Sequence, residues 1–231
     1  MKVKIKRKQF DKIYFSSDFH FNHEREFLWK PRGFESSKDH DNWIEEELKK
    51  LTKNDLLVFL GDTSLNSSIE ETERFIFQIK AKKFWVWGNH KSWDFPIYKK
   101  FAKIGKDDKY EIYPVSVKKN NEEYESSFGY KEDADIVFFG ESFELQIERD
   151  TFYCKHMASL VWDEMKNGFM ALCGHSHGSC KLINPENKTN GKILDIGVDN
   201  AKKLFNLPYF TYEQIVDIMK EKPIQRIDHH K

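Results

Sequence analysis

Short, continuous apolar runs alternate along the chain with segments of helical period. Residues 12–17 (Lys-Ile-Tyr-Phe-Ser-Ser), Leu56–Leu60 and Phe84–Trp87 are too short for core helices and suit strands covered on both faces. Between them, Trp43, Ile44, Leu48 and Leu51 recur at helical spacing over 40–51. Ile69, Thr72, Ile76 and Ile79 share one face of a helix opened by a Ser68/Glu71 capping box. A short helix is expected over Asn22–Trp29, before the break at Pro31-Arg32-Gly33. The order strand, helix, strand, helix, strand predicts a parallel sheet with right-handed crossovers.

The second half reads as strands at 136–139, 143–148, 152–154, 169–173 and 192–196, with a helix over 157–167 and a last helix capped by Thr211 and Gln214. A β-rich half following a βαβ half predicts an α/β fold of two mixed sheets packed face to face, with helices outside. The whole chain, 1–231, is read as one domain, with an insertion or lid at about 105–150. Residues 105–135 are its polar part, where Tyr110, Tyr113, Tyr124, Phe128 and Tyr130 could stack on a base. The basic run Lys2–Lys8 is read as a solvated edge, and the tail 228–231 as frayed.

Polar clusters follow the apolar runs: Asp18-Phe19-His20, Gly61-Asp62, Gly88-Asn89-His90, Lys155-His156 and Gly174-His175-Ser176-His177. Open α/β sheets gather ligands at the carboxyl ends of their strands. Two Asp, one Asn and five His could therefore converge on one point, a set of hard oxygens and imidazoles suited to a two-metal hydrolytic centre. Each cluster alone has an ordinary explanation, such as a helix cap, a turn acid or a core histidine. Their joint occurrence is what carries the signal.

Composition narrows the partners. Lys plus Arg and Asp plus Glu both number 38, so no net charge marks a duplex nucleic-acid binder. The three cysteines, Cys154, Cys173 and Cys180, form no even disulfide framework, and no apolar stretch reaches the length of a membrane span. A cytoplasmic protein without a membrane partner is expected.

Taken in order, the clusters resemble the calcineurin-like metallophosphoesterase superfamily, whose pattern runs D-x-H, G-D, G-N-H, a lone His, then G-H-x-H. The small bacterial and phage branch is most similar: Ser17 to His23 reads Ser-Asp-Phe-His-Phe-Asn-His, and Gly197-Val198-Asp199 matches a later Gly-Val-Asp. The resemblance covers about 13–104 and 151–200. Lys91 stands where many members have Asp, Leu65 where some have an acid, and no Pro follows His156.

The resemblance implies a four-layer α-β-β-α sandwich and two divalent metal ions, Mn2+ first, with Fe2+, Ni2+ or Zn2+ as alternatives. It implies that Asp18, His20 and His177 hold one ion, that Asn89, His156 and His175 hold the other, and that Asp62 bridges them. His90 becomes the catalytic general acid, working with a metal-bridging hydroxide. The expected substrate is a small phosphodiester or phosphomonoester, with nucleotides favoured. His23, Arg25 and Lys91 are candidate substrate contacts; His23 could equally support a ligand, and Arg32 could also bind phosphate oxygens. A nuclease acting on single strands, or a non-catalytic module that sequesters a nucleotide, are the alternatives.

Overall fold

Two six-stranded mixed sheets pack face to face. The structure, a computed structural model, describes residues 2–90 and 136–226 in full and, between them, the backbone of four short strands at 111–113, 117–119, 122–124 and 129–131. Lys91 and the side chains of the aromatic residues from Tyr110 to Tyr130, together with the tail 228–231, lie outside the described residues.

In the first sheet β2 (Ile13–Ser16), β3 (Leu56–Phe59), β4 (Lys82–Trp85) and β9 (Ile136–Phe138) run parallel. Antiparallel edges are added by β14 (Phe210–Thr211) and β8 (Gly129–Lys131). The second sheet has the order β13 (Ile193–Asp195), β12 (Met170–Cys173), β11 (Asp150–Lys155), β10 (Ser142–Ile147), β1 (Lys2–Ile5) and β5 (Glu111–Tyr113). Within it β11, β12 and β13 are parallel. Four strands from the stretch expected as an insertion, β5, β8, β9 and β10, thus belong to the two sheets.

The continuous apolar runs are explained by burial on both faces. Phe15, Val58 and Phe84 point between the sheets and meet Val3, Leu145, Phe152 and Leu172. Tyr14, Leu57, Phe59 and Trp85 point the other way, onto Ile44 and Leu48 of the helix Ser37–Lys49 and Phe75 and Ile76 of the helix Ile69–Gln78. Each such side chain contributes roughly 1.5–3 kcal/mol on burial. The capping boxes at Ser68 and Thr211 both form.

Four expectations differ from the structure. Residues Lys2–Ile5 are not a solvated edge: β1 is an inner strand, with Val3 and Ile5 buried beneath an alternation of lysines. The third strand begins two residues early, at Lys82, because Lys82 and Lys83 are buried; the Lys83 ammonium donates to the carbonyls of Ile79 (2.6 Å) and Ala81 (2.8 Å). The helix expected from Asn22 starts only at Glu26, since Asn22 is left-handed (φ 61°). The helix expected over 157–167 is a single 3-10 turn, Met165–Asn167, where Trp162 and Met165 fill the outer face of the second sheet against Ala171 and Ile193.

Candidate metal centre

The parallel strands of both sheets end toward one place, and the loops leaving them are joined by backbone hydrogen bonds. The Asp18, His20 and Phe21 amides donate to the carbonyls of Gly61 (3.0 Å), Asp62 (3.0 Å) and Thr63 (2.9 Å), fastening the loop after β2 to the loop after β3. Gly174 N–H donates to the His156 carbonyl at 2.8 Å, and Val198 N–H to the Ser17 carbonyl at 3.1 Å. Side chains complete the lacing. Asp18 accepts the His175 amide (2.9 Å to Oδ2) and Asp62 Oδ1 accepts the His90 amide (3.0 Å).

This lacing holds the backbone where isolated residues rarely go. Asp18, His20, Asp62, His175 and His177 all have φ between 48° and 66°. Left-handed non-glycine residues cost on the order of 1–3 kcal/mol each and cluster at functional sites. Two glycines are required by close approach. A Cβ on Gly88 would fall 1.8 Å from Asp62 Oδ1, and one on Gly174 2.0 Å from Ser17 Oγ and 2.4 Å from Asp18 Oδ2. Gly174→Ala is therefore expected to displace Asp18 and destabilise the fold by about 1–3 kcal/mol. At about 2–4 °C per kcal/mol for a chain of this size, thermal melting should read a loss of several degrees. An unchanged melting temperature would show that the backbone yields there at little cost.

Eight predicted residues come together. Three sets of ligand-type atoms lie mutually within 4.8 Å: Asp18, His20 and His177; His20, Asp62 and His90; and Asp62, His156 and His175. Asn89 joins the last set, its Oδ1 being 2.9 Å from His156 Nε2 and 2.7 Å from His175 Nδ1. Asp62 Oδ2 lies 3.3 Å from His156 Nε2, 3.7 Å from His20 Nε2 and 3.9 Å from His90 Nε2. The floor of the cluster is buried: Asp18 is 0% exposed, Asp62 1%, His20 3% and His156 3%. The His90 side chain is 40% exposed, so the open side of the cluster is where His90, Asn89 and His175 stand.

His20 and Asp62 stand in protonation states that suit a cation. Burial drives His20 well below the ordinary histidine range, overcoming the pull of Asp62, so it is neutral and carries a lone pair. Both of its ring nitrogens are buried without a hydrogen-bond partner among the described residues. Leaving such a polar group unpaired costs about 1–3 kcal/mol; a metal ion held by this residue and its neighbouring carboxylates would be a fitting partner for its lone pair. Burial raises the Asp62 carboxyl, but the hydrogen bond and charge of His156 and the His90 amide outweigh it and hold the group at about 2. His156 Nδ1 is tied to the Leu60 carbonyl at 2.7 Å, which turns Nε2 toward Asp62 and Asn89. The donors are oxygens and imidazoles with no thiolate, which selects against structural zinc.

A profile of the calcineurin-like phosphoesterases matches residues 11–190. The chain belongs to the calcineurin-like phosphoesterase family. It is accordingly a metal-dependent phosphoric ester hydrolase, and a phosphate ester is its substrate class. No curated protein matches the chain. Among solved structures, a protein of unknown function from Aquifex aeolicus, AQ665, is similar in fold, with 16% identity, a TM-score of 0.53 and coverage of 90% of this chain and 98% of that one. No helix of this phosphoesterase, among the described residues, is long and apolar enough to cross a membrane.

The remaining predicted residues fall differently. His23 is 5% exposed, its ring edge-on to His20 at 5.7 Å and its Nδ1 accepting the Arg25 amide, so it packs beside a candidate ligand. The side chain of Arg25 is exposed, and Lys91 lies outside the described residues. Arg32, for which the sequence leaves phosphate binding and surface solvation both open, is instead 4% exposed and bonded to protein acceptors.

Of two acids behind the cluster, sequence reasoning missed Asp195 and gave no role to Asp199, which it met only as part of the Gly-Val-Asp match. Asp195 accepts from the Ser176 hydroxyl, Gly178 N–H (3.1 Å) and Gly197 N–H (2.8 Å), pinning the loop that carries His175 and His177. Asp199 accepts from His177 Nδ1 at 3.0 Å. An acid inside the apolar run Ile193-Leu194-Asp195-Ile196 was the available signal for the first. Cys154 and Cys173 are free and buried within the sheets, as small hydrophobes.

Proposed function

We propose that this phosphoesterase hydrolyses small phosphodiesters or phosphomonoesters, of nucleotide type, at two divalent ions, with Mn2+ preferred. Asp18, His20 and His177 would hold one ion, Asn89, His156 and His175 the other, and Asp62 would serve both. The observation that carries this reading is Asp62 itself. It belongs to two of the three ligand-type sets and stays ionised in a buried floor ringed by imidazoles.

When bound, the ions would supply Lewis-acid activation of water and neutralise charge on the phosphoryl oxygens. The chain's own residues would supply the rest. The left-handed loops would fix five of the seven donors before substrate arrives, which limits reorganisation during the reaction. His90 stands at the open side, its amide fastened to Asp62 Oδ1 and its ring partly exposed. From there its imidazolium would pass a proton to the oxygen of the departing alcohol. The buried floor, including Phe19 and Leu60, keeps bulk water from the opposite side.

Chelation followed by metal restoration tests the reading. Stripped protein should lose turnover of bis(p-nitrophenyl) phosphate, p-nitrophenyl phosphate and 2′,3′- and 3′,5′-cyclic nucleotides, and Mn2+ should restore it better than Zn2+, Ni2+ or Fe2+. Restoration that saturates at one equivalent of ion would refute the pair. Failure on every small ester, with cleavage of single-stranded nucleic acid, would move the substrate assignment to a polymer.

A further inference from the structure

The Arg32 guanidinium is 1% exposed, which removes it from contact with any substrate phosphate. Its five N–H groups all find acceptors. Nε donates to Asp199 Oδ1 at 3.0 Å, and Nη2 to Asp199 Oδ2 at 2.7 Å and the Asp18 carbonyl at 3.0 Å. Nη1 donates to the Phe19 carbonyl at 3.5 Å and to His40 Nε2 at 2.7 Å. A guanidinium has five such protons and keeps them all.

That count fixes the neighbouring histidines. His177 Nδ1 lies 3.3 Å from Arg32 Nη2, but no Arg32 proton remains for it. It must bear its own proton and donate it to Asp199 Oδ2 at 3.0 Å. In the neutral ring, the form that could hold an ion, the lone pair then falls on Nε2, the atom 4.0 Å from Asp18 Oδ1. At the other end His40 Nδ1 donates to Asp41 Oδ1 at 2.8 Å, which leaves His40 Nε2 to accept from Arg32; Asp41 Oδ2 takes the Asn22 amide at 2.9 Å. One consistent set of protons therefore runs from Asp41 to His177.

We infer that Arg32 and Asp199 are positioning residues that lock His177 in the ring orientation and tautomer able to hold the ion shared with Asp18 and His20, and so set the occupancy of that one ion. The inference rests on the two-ion reading above. The network ends on the Asp18 and His177 side, whereas the Asn89 carboxamide oxygen draws its contacts from His156 and His175. Its loss should therefore fall on one ion. Asn at position 199 keeps the shape but not the bonding. If its oxygen faces His177, its amide group confronts the Arg32 donors; if its amide faces His177, Nδ1 must accept and Nε2 loses its lone pair. Lys at position 32 keeps the charge and cannot serve five acceptors.

Full-length protein stripped of metal would be titrated with Mn2+ by calorimetry and electron paramagnetic resonance, for the wild type, Asp199→Asn and Arg32→Lys, with circular dichroism confirming the fold. Wild type should bind two ions with an exchange-coupled spectrum. Each folded variant should bind one ion at wild-type affinity and the other about 10–100-fold more weakly, with an isolated-ion spectrum at intermediate Mn2+. Having two variants keeps the test open should one not fold. Two ions bound at wild-type affinity in a folded variant, or equal weakening of both, would overturn the inference. Fewer than two ions in the wild type would instead bring down the two-ion reading, and this inference with it.

Discussion

Asp62→Asn is expected to remove bound metal and turnover together. The carboxylate is 1% exposed and, with Asp18, is one of the two acids in the three sets of ligand-type atoms. Substituting an amide leaves Asp18 alone to balance whatever cations the imidazoles gather. It also puts an N–H2 group where either the His90 amide or the His156 ring now finds an acceptor. Lewis-acid activation is worth several kcal/mol; at about 1.36 kcal/mol per tenfold, turnover should fall by roughly three orders of magnitude. Metal analysis after dialysis should show wild type retaining its ions and the variant less than one equivalent. A variant that kept both ions and wild-type turnover would remove Asp62 from the centre of the site.

His90→Asn should separate the two properties. The ring lies at the open side, and its backbone amide, which anchors Asp62, survives the substitution. Metal content should therefore be unchanged. Turnover should drop by about 10²–10⁴ on esters with a poorly departing alcohol, the range of a general acid. On p-nitrophenyl esters the loss should be much smaller, because nitrophenolate departs without a proton. Equal losses on both kinds of ester would mean that His90 acts on binding or charge rather than on the leaving oxygen. The pair of variants thus distinguishes a residue that holds metal from one that moves a proton.

The legible parts of this chain are those where the physics is local. Runs such as Leu56–Leu60 and Phe169–Cys173 are apolar at every position because both faces of the strand are covered, and that pattern needs no knowledge of what covers them. The caps at Ser68 and Thr211 formed for the same reason: donor and acceptor lie three residues apart. Where partners are distant the pattern misleads. The lysines of Lys2–Ile5 conceal an inner strand whose register is set by Ser142–Ile147, some 140 residues later. Segment 157–167 has enough apolar residues for a helix, but Trp162 is drawn onto the second sheet, with its indole N–H on the Phe169 carbonyl at 2.8 Å.

The site divides along the same line. By itself the sequence determined the α/β class, the membership of the candidate cluster and its place at strand ends, because short motifs carry their own turn glycines and donor atoms. Only the tertiary structure decided how those donors stand to one another: that Asp62 lies among four imidazoles, that His20 is buried without a partner, and that Arg32 is turned inward onto Asp199 instead of outward to substrate. Burial and hydrogen-bond direction depend on groups brought together from far apart in the chain, and no local pattern encodes them.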